Sequence, residues 1–164
     1  MTKWLLCLVV VALVPGWLTY SDAANKYSID YPKDWTKATI PTGIAFLSPK
    51  ESAADMFQEN VNVMVQDLSD QGMTLDQFTA FNKKQLVDNI GASAVISILP
   101  AKLVGESAKV ALYNMNYQGH PLKIKQFWFI KNKKSYIFTY TAFPAQFTKY
   151  EGTAMQVIKS FRFN

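Results

Sequence analysis

The chain has 164 residues, 17 basic and 12 acidic side chains, a net charge of +5, 14% aromatic residues, one histidine and one cysteine. A single cysteine, Cys7, excludes an intramolecular disulfide framework and a cysteine-rich metal site. The modest positive balance is compatible with an acidic partner or an anionic membrane surface, and more simply with an ordinary soluble surface.

Lys3 is the only charge before Asp22, Trp4 to Val14 is an unbroken apolar run, and Pro15-Gly16 breaks any helix there. Ser21-Asp22-Ala23 then supplies small residues at the −3 and −1 positions of a cleavage site. This order predicts a secretory signal peptide over residues 1–23, cut after Ala23. The apolar run is shorter than the roughly 20 residues that span a bilayer. The charge-free stretch 4–21 is longer, and an uncleaved membrane anchor remains the alternative. Cys7 lies too early, behind bulky Leu5 and Leu6, for a lipoprotein site. Cleavage leaves one domain over residues 24–164, large enough to bury a core, without a thiol and still at +5.

Tyr27 to Tyr31 alternates Tyr, Ile and Tyr against Ser and Asp, a half-buried strand that Pro32 ends. Trp35 is expected to pack where the chain turns back. Gly43 to Leu47 reads as a short apolar strand, Glu51 to Asn60 as a polar surface loop or short helical turn, and Val61 to Gln66 as an alternating strand. Thr74 with Gln77 three residues on forms a capping box. The helix it opens carries Leu75, Phe78, Phe81, Leu86 and Ile90 near one face and ends at Gly91. Val95 to Leu99 is an apolar strand closed by Pro100. Glu106 to Tyr117 is a longer one, with Tyr113, Met115 and Tyr117 on one side and Val110 and Leu112 on the other.

Leu122 to Ile130 and Ser135 to Phe143 flank Lys131-Asn132-Lys133-Lys134. A tight turn on Asn132-Lys133 pairs Phe129 with Tyr136, Phe127 with Phe138 and Trp128 with Ile137. Both faces of this hairpin are aromatic or aliphatic at its centre, so each must be covered. Past Pro144, residues Phe147, Tyr150, Ala154, Val157 and Phe161 form a helical stripe. One helix per face predicts an α+β domain, an antiparallel sheet sandwiched between helices in three layers.

Recognisable catalytic patterns are missing. His120 stands alone before Pro121, a turn histidine without a second ligand for zinc. The seven glycines form no phosphate-binding loop, and Ser93 in Gly91-Ala-Ser-Ala lacks the second glycine of a nucleophile elbow. Asp67 and Asp70 lack the remaining ligands of a calcium loop and are expected to stabilise the turn before the capped helix. No cofactor and no metal is expected. Lys123 and Lys125 on one hairpin strand and Lys131, Lys133 and Lys134 at its tip are candidate partner-binding residues, for an acidic protein or lipid headgroups. The plainer reading of the same lysines, which comes ahead of docking, is that they deter edge-to-edge aggregation. Nucleic acid is not expected, since Arg162 is the only arginine. The alternative function is a small-ligand carrier, its pocket between sheet and helix lined by Tyr113, Tyr117 and Phe127. An enzyme of unrecognised type comes third.

Tyr-Ser-Ile-Asp-Tyr-Pro-Lys-Asp-Trp (27–35), Val-Asn-Val-Met-Val-Gln (61–66) and the closing Met-Gln-Val-Ile-Lys-Ser-Phe-Arg-Phe (155–163) together resemble the PsbP-like and DcrB-like proteins. The resemblance spans essentially the whole mature chain, through short and mostly structural motifs. It implies an antiparallel sheet between helices and a non-catalytic module that docks to a protein complex or membrane surface outside the cytoplasm. It carries over no functional residue. The extended N-terminal segment of plant PsbP has no counterpart between Ala24 and Lys26, which counts against a direct photosystem role.

Overall fold

The computed structural model describes residues 16–164. These contain β1 (Trp17–Asp22), β2 (Tyr27–Pro32), β3 (Thr36–Ile40), β4 (Gly43–Leu47), β5 (Asn60–Asp67), α1 (Leu75–Ile90), β6 (Val95–Leu103), β7 (Glu106–Tyr117), β8 (His120–Lys131), β9 (Lys134–Ala142), α2 (Phe147–Lys159) and β10 (Arg162–Phe163). Seven strands form one antiparallel sheet in the order β3-β4-β5-β9-β8-β7-β6, and β1-β2-β10 form a second.

The β8–β9 hairpin sets the frame. Phe127 pairs with Phe138, Trp128 with Ile137 and Phe129 with Tyr136, the register that the sequence pattern predicts. Asn132 and Lys133 take φ of 50° and 59°, the left-handed pair that a two-residue turn needs to match strand twist. Successive side chains alternate between faces, so two cores form. On one face Phe129, Tyr136, Phe138, Tyr140, Val61 and Val63 are buried against Ala154, Val157 and Ile158 of α2. On the other Trp128, Ile124, Ile137 and Tyr113 are buried with Phe78 of α1. Fully burying each such ring contributes about 1.5–3 kcal/mol.

Several elements depart from the sequence expectation. The expected apolar signal run lies within residues 1–15, outside the described residues. Trp17–Asp22, expected to leave with the signal, forms β1 and pairs along all of β2. A cut after Ala23 would therefore remove a strand of the fold. The second sheet was not expected; it joins α2 in covering one face, with Tyr27, Ile29 and Tyr31 in the same core as α2. Arg162 on β10 clamps Asp30 on β2 through two hydrogen bonds of 2.9 and 3.1 Å, and Thr19 on β1 donates to the same carboxylate. The strand expected to stop at Pro100 runs on to Leu103, because β6 is the sheet edge, where proline's missing N–H breaks no ladder. Phe81, expected in the buried stripe of α1, is 44% exposed. Phe161 lies just past α2 and is still buried.

Candidate functional site

The five candidate lysines do not form one patch. Lys123 and Lys131 stand eight positions apart on extended β8, about 26 Å at 3.3 Å per residue. Lys123 lies over the Phe147 ring, its Nζ 4.5 Å from the centroid. Lys125 pairs with Glu151 of α2 at 2.8 Å. Both therefore brace the sheet against α2. At the tip, Lys131 pairs with Glu106 at 2.5 Å and sits over Phe163, and Lys134 donates to Asn25 at 3.1 Å. Lys133 is exposed, carried outward by its left-handed backbone. The Lys134–Asn25 bond brings the β1–β2 turn beside the tip, and with it exposed Lys26, also left-handed at φ 54°. Asp67 faces Lys134 across the ladder, and its carboxyl is held below the usual range, first by hydrogen bonds from Ser69 and then by Lys134 and Lys133. At the two turns themselves Lys133 and Lys26 project outward, a pairing the sequence order of the turns conceals.

The three residues proposed to line one ligand pocket also separate. β7 and β8 pair through the turn at Gln118-Gly119, which sets Phe127 opposite Val110 and Ile124 opposite Tyr113. Phe127 consequently packs on the α2 face, while Tyr113 lies beneath α1. Tyr117 is 53% exposed and borders a small hollow of about 70 Å³ with Met56, His120 and Phe143. The turn's Gln-Gly dipeptide was the available signal for this parity. Tyr113 alone borders a larger groove, about 380 Å³, between α1 and the sheet. Burial pushes its hydroxyl up to about 12, so it stays protonated.

Sequence patterns do not single out Glu59. It is 1% exposed and enters the core where β5 begins; Ser48 donates to its Oε2 at 3.5 Å, and its Oε1 has no hydrogen-bond partner. Burial raises its pKa. Closed off from solvent, this carboxyl meets no substrate and acts on the stability of the fold. His120 is exposed at the start of β8, its ring 6.0 Å from that of Phe143. Asp67 accepts hydrogen bonds from Ser69 in the turn before α1, the structural part expected of it. Among the described residues, no group of three or more His, Cys, Asp or Glu side chains is placed to hold a metal ion, and no helix is long and apolar enough to cross a membrane.

The PsbP family model matches residues 15–163, from the lead into β1 to the last strand. No curated protein matches the sequence. Among solved structures, cyanobacterial PsbP from Synechocystis superposes with a TM-score of 0.66 at 16% identity, covering 94% of this chain and 96% of that one. A protein of unknown function from Pseudomonas aeruginosa, described as a putative regulator, gives 0.61 at 15%, covering 88% and 94%. LpqN of Mycobacterium tuberculosis, described as involved in cell envelope biogenesis, gives 0.60 at 11%, covering 90% of each chain. At these identities the structures share the fold. The two helical covers, the aromatic ribbon between them and a match running through nearly every described residue agree on one conclusion: the chain belongs to the PsbP family.

Proposed function

We propose that this protein is a non-catalytic accessory module outside the cytoplasm, which docks onto a larger protein assembly or onto the membrane surface beside it. The family membership supports the reading, as does the similarity in fold to LpqN, a protein tied to the cell envelope. The observation that carries it is the outward pair of Lys133 and Lys26. Each stands at the end of a hairpin, on a backbone conformation that gives the side chain a fixed exit into solvent. The other hairpin lysines are engaged within the molecule. A cationic tip of this kind suits capture of an acidic surface, whose attraction weakens with added salt.

The test is the double substitution Lys26→Glu with Lys133→Glu, followed by crosslinking in the native host and sedimentation with vesicles containing anionic lipid. The reading predicts loss of crosslinked partner or of vesicle binding. Stability should move by no more than about 0.5 kcal/mol, as for ordinary surface changes. Capture undiminished by the double substitution would overturn the assignment of the tip.

A further inference from the structure

The groove under α1 contradicts the pattern that builds the rest of this face. At 3.6 residues per turn, Asn82 and Asn89 project between Phe78 and Leu86, on the side of the helix turned toward the sheet. Apolar residues belong there if the helix only covers a core. The sheet answers with Gln126 and Gln66 from β8 and β5. Gln126 spends its Nε2 on Thr139 at 3.0 Å, which leaves its Oε1 as an acceptor. Half-buried Asn82 on the helix and Gln126 on the sheet thus stand where periodicity calls for hydrocarbon, while Asn89 and Gln66 border the groove as exposed carboxamides. Phe81 borders the groove and is 44% exposed.

The chemistry of the lining selects the ligand. Each carboxamide offers one acceptor oxygen and two donor hydrogens, matching a hydroxyl that both donates and accepts. No Asp, Glu, Lys, Arg or His lines the groove, so a charged ligand would lose its hydration without meeting a counter-charge. An exposed ring beside neutral donors and acceptors fits a ligand with polar edges and an apolar C–H face. The volume of about 380 Å³ falls within the range of small-ligand sites. We infer that the groove between α1 and the sheet is a binding site for a neutral saccharide, with Phe81 stacking on a sugar ring and Asn82, Asn89 and Gln126 hydrogen-bonding its hydroxyls. This site is separate from the docking tip, since no tip lysine lines it.

The experiment is a ¹⁵N NMR titration of the folded protein, following side-chain amide resonances. The probes are glucose, galactose, N-acetylglucosamine and their α-1,4- and β-1,4-linked dimers, with glucuronate and tetra-alanine as competitors of other chemistry. At least one neutral sugar should produce saturable shifts at Asn82, Asn89 and Gln126. Phe81→Ala should weaken that binding about tenfold, with Phe81→Trp retaining it. Both variants should melt close to the parent, because the ring is partly exposed. Absence of saturable shifts up to about 10 mM, beyond the Kd of even a weak site, would overturn the inference. So would preferential binding of glucuronate or the peptide, or sugar binding indifferent to Phe81→Ala. None of these failures touches the tip, whose test reads partner and vesicle capture.

Discussion

Trp128 Nε1 donates to Thr79 Oγ1 at 2.9 Å, and Thr79 in turn donates to the Leu75 carbonyl at 2.7 Å. The fully buried indole of the central ribbon is thereby tied to the first turns of α1. Phe78 is the one fully buried side chain of this helix, with half-buried Leu75, Leu86 and Ile90 packed beside it, so the bond adds a directional tie to that apolar contact. Thr79→Val keeps the shape and removes the acceptor, leaving a buried N–H without a partner. The cost of such an orphan is about 1–3 kcal/mol. Chemical denaturation should show that loss, and the indole fluorescence should shift as α1 loosens.

Gly43 starts β4 opposite Met64, and a Cβ there would run into the Val63 carbonyl on the neighbouring strand. The obstacle is backbone, which cannot swing aside as a flexible side chain would. Gly43→Ala should therefore destabilise the protein by about 1–3 kcal/mol, the usual range for overpacking. The same change at Gly152, where a Cβ meets nothing, should be harmless or stabilising. Paired melting curves of the two variants separate these outcomes.

Glu59 makes the stability depend on pH in an unusual direction. Its folded pKa is raised by burial, so the native state holds this proton more tightly than the unfolded chain does. The corresponding stability is present in full below the unfolded value of 4.5 and is lost as pH rises through the folded value. Glu51, Asp55 and Asp67 are lowered and act in the opposite sense, but their carboxylates are solvent-facing and weakly coupled to folding. Glu59→Gln should consequently melt higher than the parent at pH 8 and show no advantage at pH 4. Equal melting of the two proteins at both pH values would remove Glu59 as the source.

Much of this architecture can be read from the residues, for reasons that differ by element. The β8–β9 register follows from the aromatic alternation and from Asn132, which tolerates a left-handed backbone. The start of α1 follows from Thr74 and Gln77, whose reciprocal bonds of 3.2 and 2.9 Å close the capping box. β3 shows no pattern because Thr36 to Thr39 are all exposed, so no face of it is selected for hydrocarbon. β1 is hidden because Ser21 within it and Ala23 just after it also satisfy the rule for a signal's exit. Its place in the fold depends on pairing with β2 and on Asp30, partners that local composition does not announce. The candidate lysines were legible as residues and illegible as a surface. Their partners Glu151, Glu106 and Asn25 lie between 20 and 110 positions away along the chain, and only folding brings them together. The groove escaped the pattern for a related reason. Asn82 and Asn89 dilute the apolar stripe of α1, and Gln126 interrupts that of β8, a coincidence visible only when the two are superposed.

The central claim, that the cationic hairpin tip meets a partner, is tested most directly by placing a photocrosslinking amino acid at position 133 in the native host. Position 50, an exposed lysine in the loop before β5 at the opposite end of that strand, serves as the control. The account predicts a discrete covalent adduct, to an envelope protein or to lipid, from position 133 and none of comparable yield from position 50. Equal adducts from both positions, or an adduct from position 50 alone, would contradict it.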